Sequence, residues 1–170
     1  HRSGRQRRRV AGLGQSPLSD AKLRIIPFRP IDQVAARALI LTGLAERWGT
    51  LDESLNPDLV DIASSYASGV FLCAWADDEL VGTGALRNRE MGVVEIVRMS
   101  VAHAWRRRGV GRAIAQVLVS EARTQGHRRV VLETTETWED AVRFYLGLGF
   151  VITHHQDGDV YFALDLGRKM

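Results

Sequence analysis

The stretch Arg106-Arg107-Arg108-Gly109-Val110-Gly111-Arg112 puts four guanidiniums and two glycines between a strand-like segment and the start of a helical pattern. Glycines let a backbone turn so that its N–H groups converge, and a helix N-terminus adds the positive end of its dipole. The arginines supply full charge. The combination makes an anion cradle that suits a pyrophosphate or a phosphorylated cofactor. The same composition also describes a solvated basic turn, so the segment does not decide between the two alone.

Other reactive patterns are missing from the sequence. It holds no Gly-x-x-x-x-Gly-Lys-Ser/Thr loop, no His-Glu-x-x-His and no Gly-x-Ser-x-Gly. Gly-x-Gly pairs occur at 12/14, 82/84, 109/111 and 147/149, and none has the third glycine of a dinucleotide-binding turn. His154 and His155 are neighbours in a predicted strand and point to opposite faces, and a single cysteine excludes a zinc site built on thiolates, so no metal is expected. Cys73, inside Phe71-Leu72-Cys73-Ala74-Trp75, reads as a small buried hydrophobe rather than a nucleophile.

The 170 residues, 45% apolar and 25% charged, are one domain's worth. Of 23 basic residues, Arg2, Arg5, Arg7, Arg8 and Arg9 precede the first acid, Asp20; the remaining 18 face 20 acidic residues. The net +3 therefore belongs to a segment, residues 1–20, that is poor in large apolar side chains and reads as disordered. Residues 21–170 form the expected single domain. Over residues 11–170, without the four arginines of the cradle, the balance is 14 basic against 20 acidic, an acidic body with one concentrated cationic site. That site is sized for a pyrophosphate rather than a polynucleotide, and nucleic-acid binding through Arg2 to Arg9 stays a lesser alternative. The longest apolar run, residues 70–76, is too short to cross a membrane, and no signal segment is evident, so a soluble, cytoplasmic protein is expected.

Hydrophobic patterning supplies the elements that must position the cradle. Residues 22–28 read as a strand. Pro30 opens a helix with Ile31, Val34, Ala35, Ala38 and Leu39 on one face, and Asn56 and Pro57 open a second helix over residues 57–66. Residues 70–76, 80–86 and 93–101 read as an antiparallel meander. A helix follows with Val110, Ile114, Val117, Leu118 and Ala122 inward, then a buried strand over 130–134, and a helix with Ala141, Phe144, Tyr145 and Leu148 inward. Two last strands, 150–155 and 160–166, flank a hairpin at Gln156-Asp157-Gly158-Asp159. This order predicts an α/β fold, a mixed and mostly antiparallel sheet with helices on both faces.

Three segments together resemble the GCN5-related N-acetyltransferase (GNAT) superfamily: Glu95-Ile96-Val97-Arg98-Met99-Ser100-Val101, the run from Trp105 through Ile114, and Ala141-Val142-Arg143-Phe144-Tyr145-Leu146-Gly147-Leu148-Gly149-Phe150. The family's Arg/Gln-x-x-Gly-x-Gly/Ala motif is met by Arg106, Gly109 and Gly111, and its Phe-Tyr-x-x-x-Gly-Phe motif by Phe144, Tyr145, Gly149 and Phe150. The resemblance is strong over residues 93–166 and rests on element order over 22–92.

The resemblance implies acetyl-CoA as acetyl donor. In similar proteins the strand matching residues 93–101 splays from its neighbour; Met99, Ser100 and Val101 would meet the pantetheine arm through their backbone, and an N–H there would polarise the thioester carbonyl. Arg106, Arg107, Arg108, Gly109, Val110, Gly111 and Arg112 would hold the pyrophosphate. Glu95 matches a position where family members place a general base; otherwise it is a strand residue facing solvent or pairing with Arg98. Tyr145 matches the usual general acid toward the CoA thiolate; otherwise it is a core tyrosine. Trp138 stands where the family often has Asn, so the Asn role is not carried over. Trp105 either stacks on adenine or anchors its loop. Trp48, Tyr66, Asp52, Glu53, Asp58 and Asp61 belong to the acceptor side, as an acidic rim for a cationic amine or as a solvated face.

The implied activity is acetyl-CoA-dependent N-acetylation of a primary amine by direct transfer. A non-catalytic CoA-binding sensor or scaffold, which needs the cradle but neither Glu95 nor Tyr145, is the alternative. The acceptor, the acyl chain length and the oligomeric state, homodimer included, are not legible in these residues.

Overall fold

Alternation along Val70–Ala76 sends Phe71 and Cys73 to one side of a sheet and Leu72, Ala74 and Ala76 to the other, so this strand is buried on both faces. The computed structural model describes residues 22–167; the basic segment expected to be disordered, residues 1–20, lies outside the described residues. The elements are β1 (Leu23–Pro27), α1 (Gln33–Trp48), α2 (Ile62–Ser65), β2 (Val70–Ala76), β3 (Glu79–Asn88), β4 (Val93–Val101), α3 (Val110–Thr124), β5 (Arg129–Thr135), α4 (Glu139–Gly147), β6 (Val151–Gln156) and β7 (Asp159–Asp165). They build one seven-stranded sheet in the order β1-β2-β3-β4-β5-β7-β6, in which only β4 and β5 run parallel. The expected mixed, mostly antiparallel sheet with helices on both faces is what the chain forms.

One core lies under α3 and α4, where Val110, Ile114, Leu118 and Ala122 meet Val94, Ile96, Val130, Leu132 and Phe162. The expected inward stripe of α3 holds except at Val117, which is 37% exposed. The other core lies under α1 and α2, where Ala36, Ile40, Leu59 and Ile62 meet Phe71, Cys73 and Ala85. Burial pushes the Cys73 thiol up to about 12, which suits the hydrophobe that its setting predicts.

Two helical expectations are corrected. Ile31 and Val34, expected on the core face of the first helix, are 83% and 80% exposed, and Ala35 and Ala38 are exposed with them. The residues that face the sheet are Asp32, Ala36, Ile40 and Leu41. Asp32 sets this rotation: it is buried, and its carboxylate accepts the Arg29 amide and guanidinium, which also turns residues Pro30–Asp32 into a 3-10 turn ahead of α1. A stripe that opens on a charged residue and an alanine carries little signal in its first turns for a pattern based on large apolar side chains. The helix expected over residues 57–66 is a 3-10 turn, Pro57–Leu59, followed by α2. Asp61 is extended (φ −143°, ψ 90°) and caps α2 by accepting the Ser64 amide at 3.2 Å, whereas the Asn56 side chain caps nothing.

Gly82 and Gly84 face α3, and a Cβ at Gly84 would stand 2.6 Å from Ile114 Cγ2 and 2.6 Å from Met99 Sδ. The pair that looks like half of a nucleotide motif is thus a seat for a helix. Gly84→Ala should destabilise the fold by about 1–3 kcal/mol in urea unfolding through overpacking. Gly147→Ala, whose Cβ would meet nothing within 4 Å, should leave the midpoint nearly unchanged.

Candidate active site

Parallel pairing of β4 with β5 covers Val93–Arg129, Val94–Val130 and Glu95–Val131, and ends there. Beyond it β4 continues on β3 and β5 continues on β7. The two strands therefore diverge, and each turns one main-chain edge toward the gap. Arg98, at φ 56°, lies on one wall of this split, where the β3–β4 register shifts.

At the open end of the same wall the chain makes a 3-10 turn, His103–Trp105, and Trp105 is buried in the core, which anchors the loop. Arg107 (φ 61°) and Gly109 (φ 85°) then alternate left-handed with their neighbours, the geometry that converges successive amides. The first bond into α3 runs from the Ala113 amide to the Gly109 carbonyl at 3.0 Å; the amides of residues 107–112 have no acceptor among the described residues. Amides without a well-formed bond at the N-terminus of a 15-residue helix are donors that an anion can accept. Val110 is a buried anchor beneath them, and Gly111 passes close to Phe144 of α4, whose Cζ would be 3.3 Å from an added Cβ.

The four guanidiniums are not equivalent. Arg106 turns back: Nη2 donates to Glu46 at 2.5 Å and Nε to the Val101 carbonyl at 3.1 Å. Arg108 Nη1 is buried with no partner, while Arg107 and Arg112 are exposed. The cradle expected to present four free cations thus has one committed within the protein. Unpaired amides and a buried, unanswered guanidinium nitrogen fit a phosphorylated group such as the pyrophosphate of a CoA ester.

Along the split, the Met99 side chain lies against α3 and the Ser100 hydroxyl faces Gly43 of α1. Glu95 stands at the closed end, 5% exposed, and accepts Arg87 Nη2 at 2.8 Å with Arg89 Nη1 at 3.6 Å. Neither solvent nor Arg98 is its partner, as the alternative to a base role had it; the cross-strand Arg87↔Glu95 register brings the pair together. Tyr145 is buried among Phe144, Phe150 and Phe162. Burial raises its phenol above the ordinary range, with Arg47 acting the other way.

The last turn of α1 spans the mouth of the split. Glu46 takes Arg106 on the β4 side, while Arg47 forks onto Asp140 at 2.8 and 2.9 Å and lies over the Trp138 ring, 4.5 Å from its centre, on the β5 side. Trp48 packs on Trp138 with ring centres 5.2 Å apart. The Asn-to-Trp departure at 138 is therefore matched by a second Trp. Reasoning from sequence missed Glu46, Arg47, Asp140 and the partnership of Arg98 with Asp58, because no local spacing links residues 40 to 93 positions apart.

Asp58 accepts Arg98 Nε at 2.9 Å and the Tyr66 hydroxyl at 2.6 Å. Burial works to raise the Asp58 carboxyl, but the Arg98 and Tyr66 hydrogen bonds outweigh it and hold the group below its ordinary value. Burial and that carboxylate push Tyr66 up to about 12.

The acetyltransferase (GNAT) family model matches residues 36–150. N-acetyltransferase 8F1 of Rattus norvegicus is 34% identical over 103 residues, 56% of this chain and 47% of that protein; the chain spans about half the length of the mammalian relatives it matches. A GNAT-family acetyltransferase from Staphylococcus aureus Mu50 superposes with a TM-score of 0.79 at 19% identity, covering 86% of this chain and all of that one. The PaiA N-acetyltransferase of Thermoplasma acidophilum, solved with coenzyme A, superposes at 0.73 with 14% identity over 85% of this chain and 99% of that one.

The depressed Asp58 carboxyl makes a stability prediction. Its contribution is present above the ordinary value of 3.8 and is lost as pH falls through the lower folded value. Asp58→Asn should be less stable than the parent at neutral pH, and the difference in urea midpoint should shrink steadily as pH drops from 4 toward about 2.

Proposed function

This chain belongs to the GNAT acetyltransferase family, and on that premise we propose that it is an acetyl-CoA-dependent N-acetyltransferase acting on a primary amine by direct transfer. The observation that carries the reading is the set of amides of residues 107–112 without acceptors, joined to a split between β4 and β5. A sensor that only binds CoA would use both features but neither Glu95 nor Tyr145, and thiol release with an amine distinguishes the two. Among the described residues no helix is long and apolar enough to cross a membrane, and a cytoplasmic setting suits the single, buried Cys73.

Arg107, Arg108, Arg112 and the amides of residues 107–112 hold the donor's phosphates. Acetyl-CoA supplies, when bound, a thioester whose carbonyl carbon is the electrophile. The backbone of Met99, Ser100 and Val101 lines the wall along which the pantetheine arm runs, with an N–H there to take the carbonyl's developing charge. Glu95 receives the proton of the acceptor ammonium, directly or through a water, and the guanidiniums of Arg87 and Arg89 offset the burial of its charge. Tyr145, held protonated by burial, donates its proton to the departing sulfur. Holding both reactants in one cleft supplies much of the rate.

Calorimetry with acetyl-CoA should give saturable binding, and thiol release across a panel of primary amines should identify at least one acceptor. No binding at millimolar donor would end this reading. Tyr145→Phe and Glu95→Gln should each lower kcat about tenfold or more while acetyl-CoA affinity changes little. Unchanged kcat removes the residue concerned from the mechanism.

A further inference from the structure

Arg98 has left-handed backbone in the middle of a strand, a conformation that an L-residue of this size keeps only when its surroundings hold it. The ladder shows what that achieves. Ala85 faces Val97 and Thr83 faces Ser100, so Arg98 and Met99 share one position opposite Gly84 and β4 bulges beside the split. Three tethers hold Arg98 there. Its Nε and Nη2 fork onto the two oxygens of Asp58, its Nη1 donates to Asn56 Oδ1 at 3.1 Å, and its carbonyl accepts Thr83 Oγ1 at 2.8 Å. Asp58 is itself fixed by the Tyr66 hydroxyl, and the side chains of Arg98 and Asp58 are 19% and 22% exposed.

Asp58 does not belong to the sheet. It sits in the 3-10 turn Pro57–Leu59, on the segment between α1 and β2, so the bulge takes its position from a piece of chain 40 residues away. We infer that Asp58 is a positioning residue for acetyl transfer: through Arg98 it fixes the bulge and so the aim of the β4 main chain into the split. The inference rests on the acetyl-transfer reading above. A donor N–H acts on a developing oxyanion only when it is already aimed, and a misplacement of about 1 Å forfeits much of the effect. Removing the clamp should therefore cost turnover rather than donor affinity, because the phosphates are held by residues 107–112, at the other end of the wall.

Two substitutions test this. Asp58→Asn keeps the size of the side chain and removes its charge; Arg98→Gly keeps a left-handed backbone without strain and removes the fork. Both should lower kcat for thiol release about ten- to hundredfold, leave the acetyl-CoA Kd within about twofold, and speed hydrogen exchange in peptides covering residues 97–101 while the rest of the sheet stays protected. Arg98→Gly with the parent kcat would overturn the inference, since a permissive backbone would then be all the bulge needs. So would exchange that quickens across the whole sheet with kcat following the folded fraction, the mark of a merely structural role. A parent protein that binds acetyl-CoA but releases no thiol with any amine overturns the acetyl-transfer reading instead, and the exchange comparison still decides whether Asp58 holds the bulge.

Discussion

The sheet has to come apart in its middle. After Glu95–Val131 the β4–β5 ladder stops, and two neighbouring strands each leave an edge of N–H and C=O groups unpaired inside the fold. A buried donor or acceptor left unmade costs about 1–3 kcal/mol, so such a gap closes unless something holds it open. Much of the remaining structure opposes that closure. β4 stays on β3 through its bulge, β5 stays on β7 across all seven of its residues, and α1 reaches over the gap to grip both sides.

Charge is distributed to the same end. The body of the protein is acidic once the cradle is set aside, yet its arginines are not simply balanced by nearest neighbours in sequence. Arg98 answers Asp58, Arg47 answers Asp140, Arg87 answers Glu95 and Arg106 answers Glu46. Each of these pairs joins two different segments of the chain, and three of them involve residues of α1 or of the segment after it. Long-range ion pairs of this kind add modestly to stability where exposed; their effect here is on geometry.

Features determined within a few neighbouring residues were readable from the sequence. The meander of β2, β3 and β4, the inward stripe of α3 and the Asp157-Gly158 hairpin follow from alternation, period and turn chemistry, and the cradle follows from glycines and arginines between a strand and a helix. What was not readable depended on tertiary partners. The rotation of α1 is set by Asp32, which turns Ala36, Ile40 and Leu41 to the sheet and leaves Ile31 and Val34 in solvent. The break between Pro57–Leu59 and α2 depends on Asp61 capping a helix and on the Asn56 side chain serving Arg98 instead. In the candidate site, Glu95 was legible as a strand carboxylate but its partners were not, because the register of β3 against β4 places Arg87 beside it.

Arg106 donates to Glu46 within the protein, while the amides of residues 107–112 make no well-formed bond among the described residues. A donor phosphate held as proposed would therefore gain less from the net charge of the loop than its four arginines suggest, and more from the number of oxygens it can offer to donors fixed in direction. On the proposed donor reading such a site would discriminate by shape: a compact monovalent ion satisfies few of those amides at once, whereas a linked pair of phosphates can spread its oxygens across several. On the proposed reading, selectivity against simple anions would reside in the backbone of the loop, where side-chain substitutions change it least.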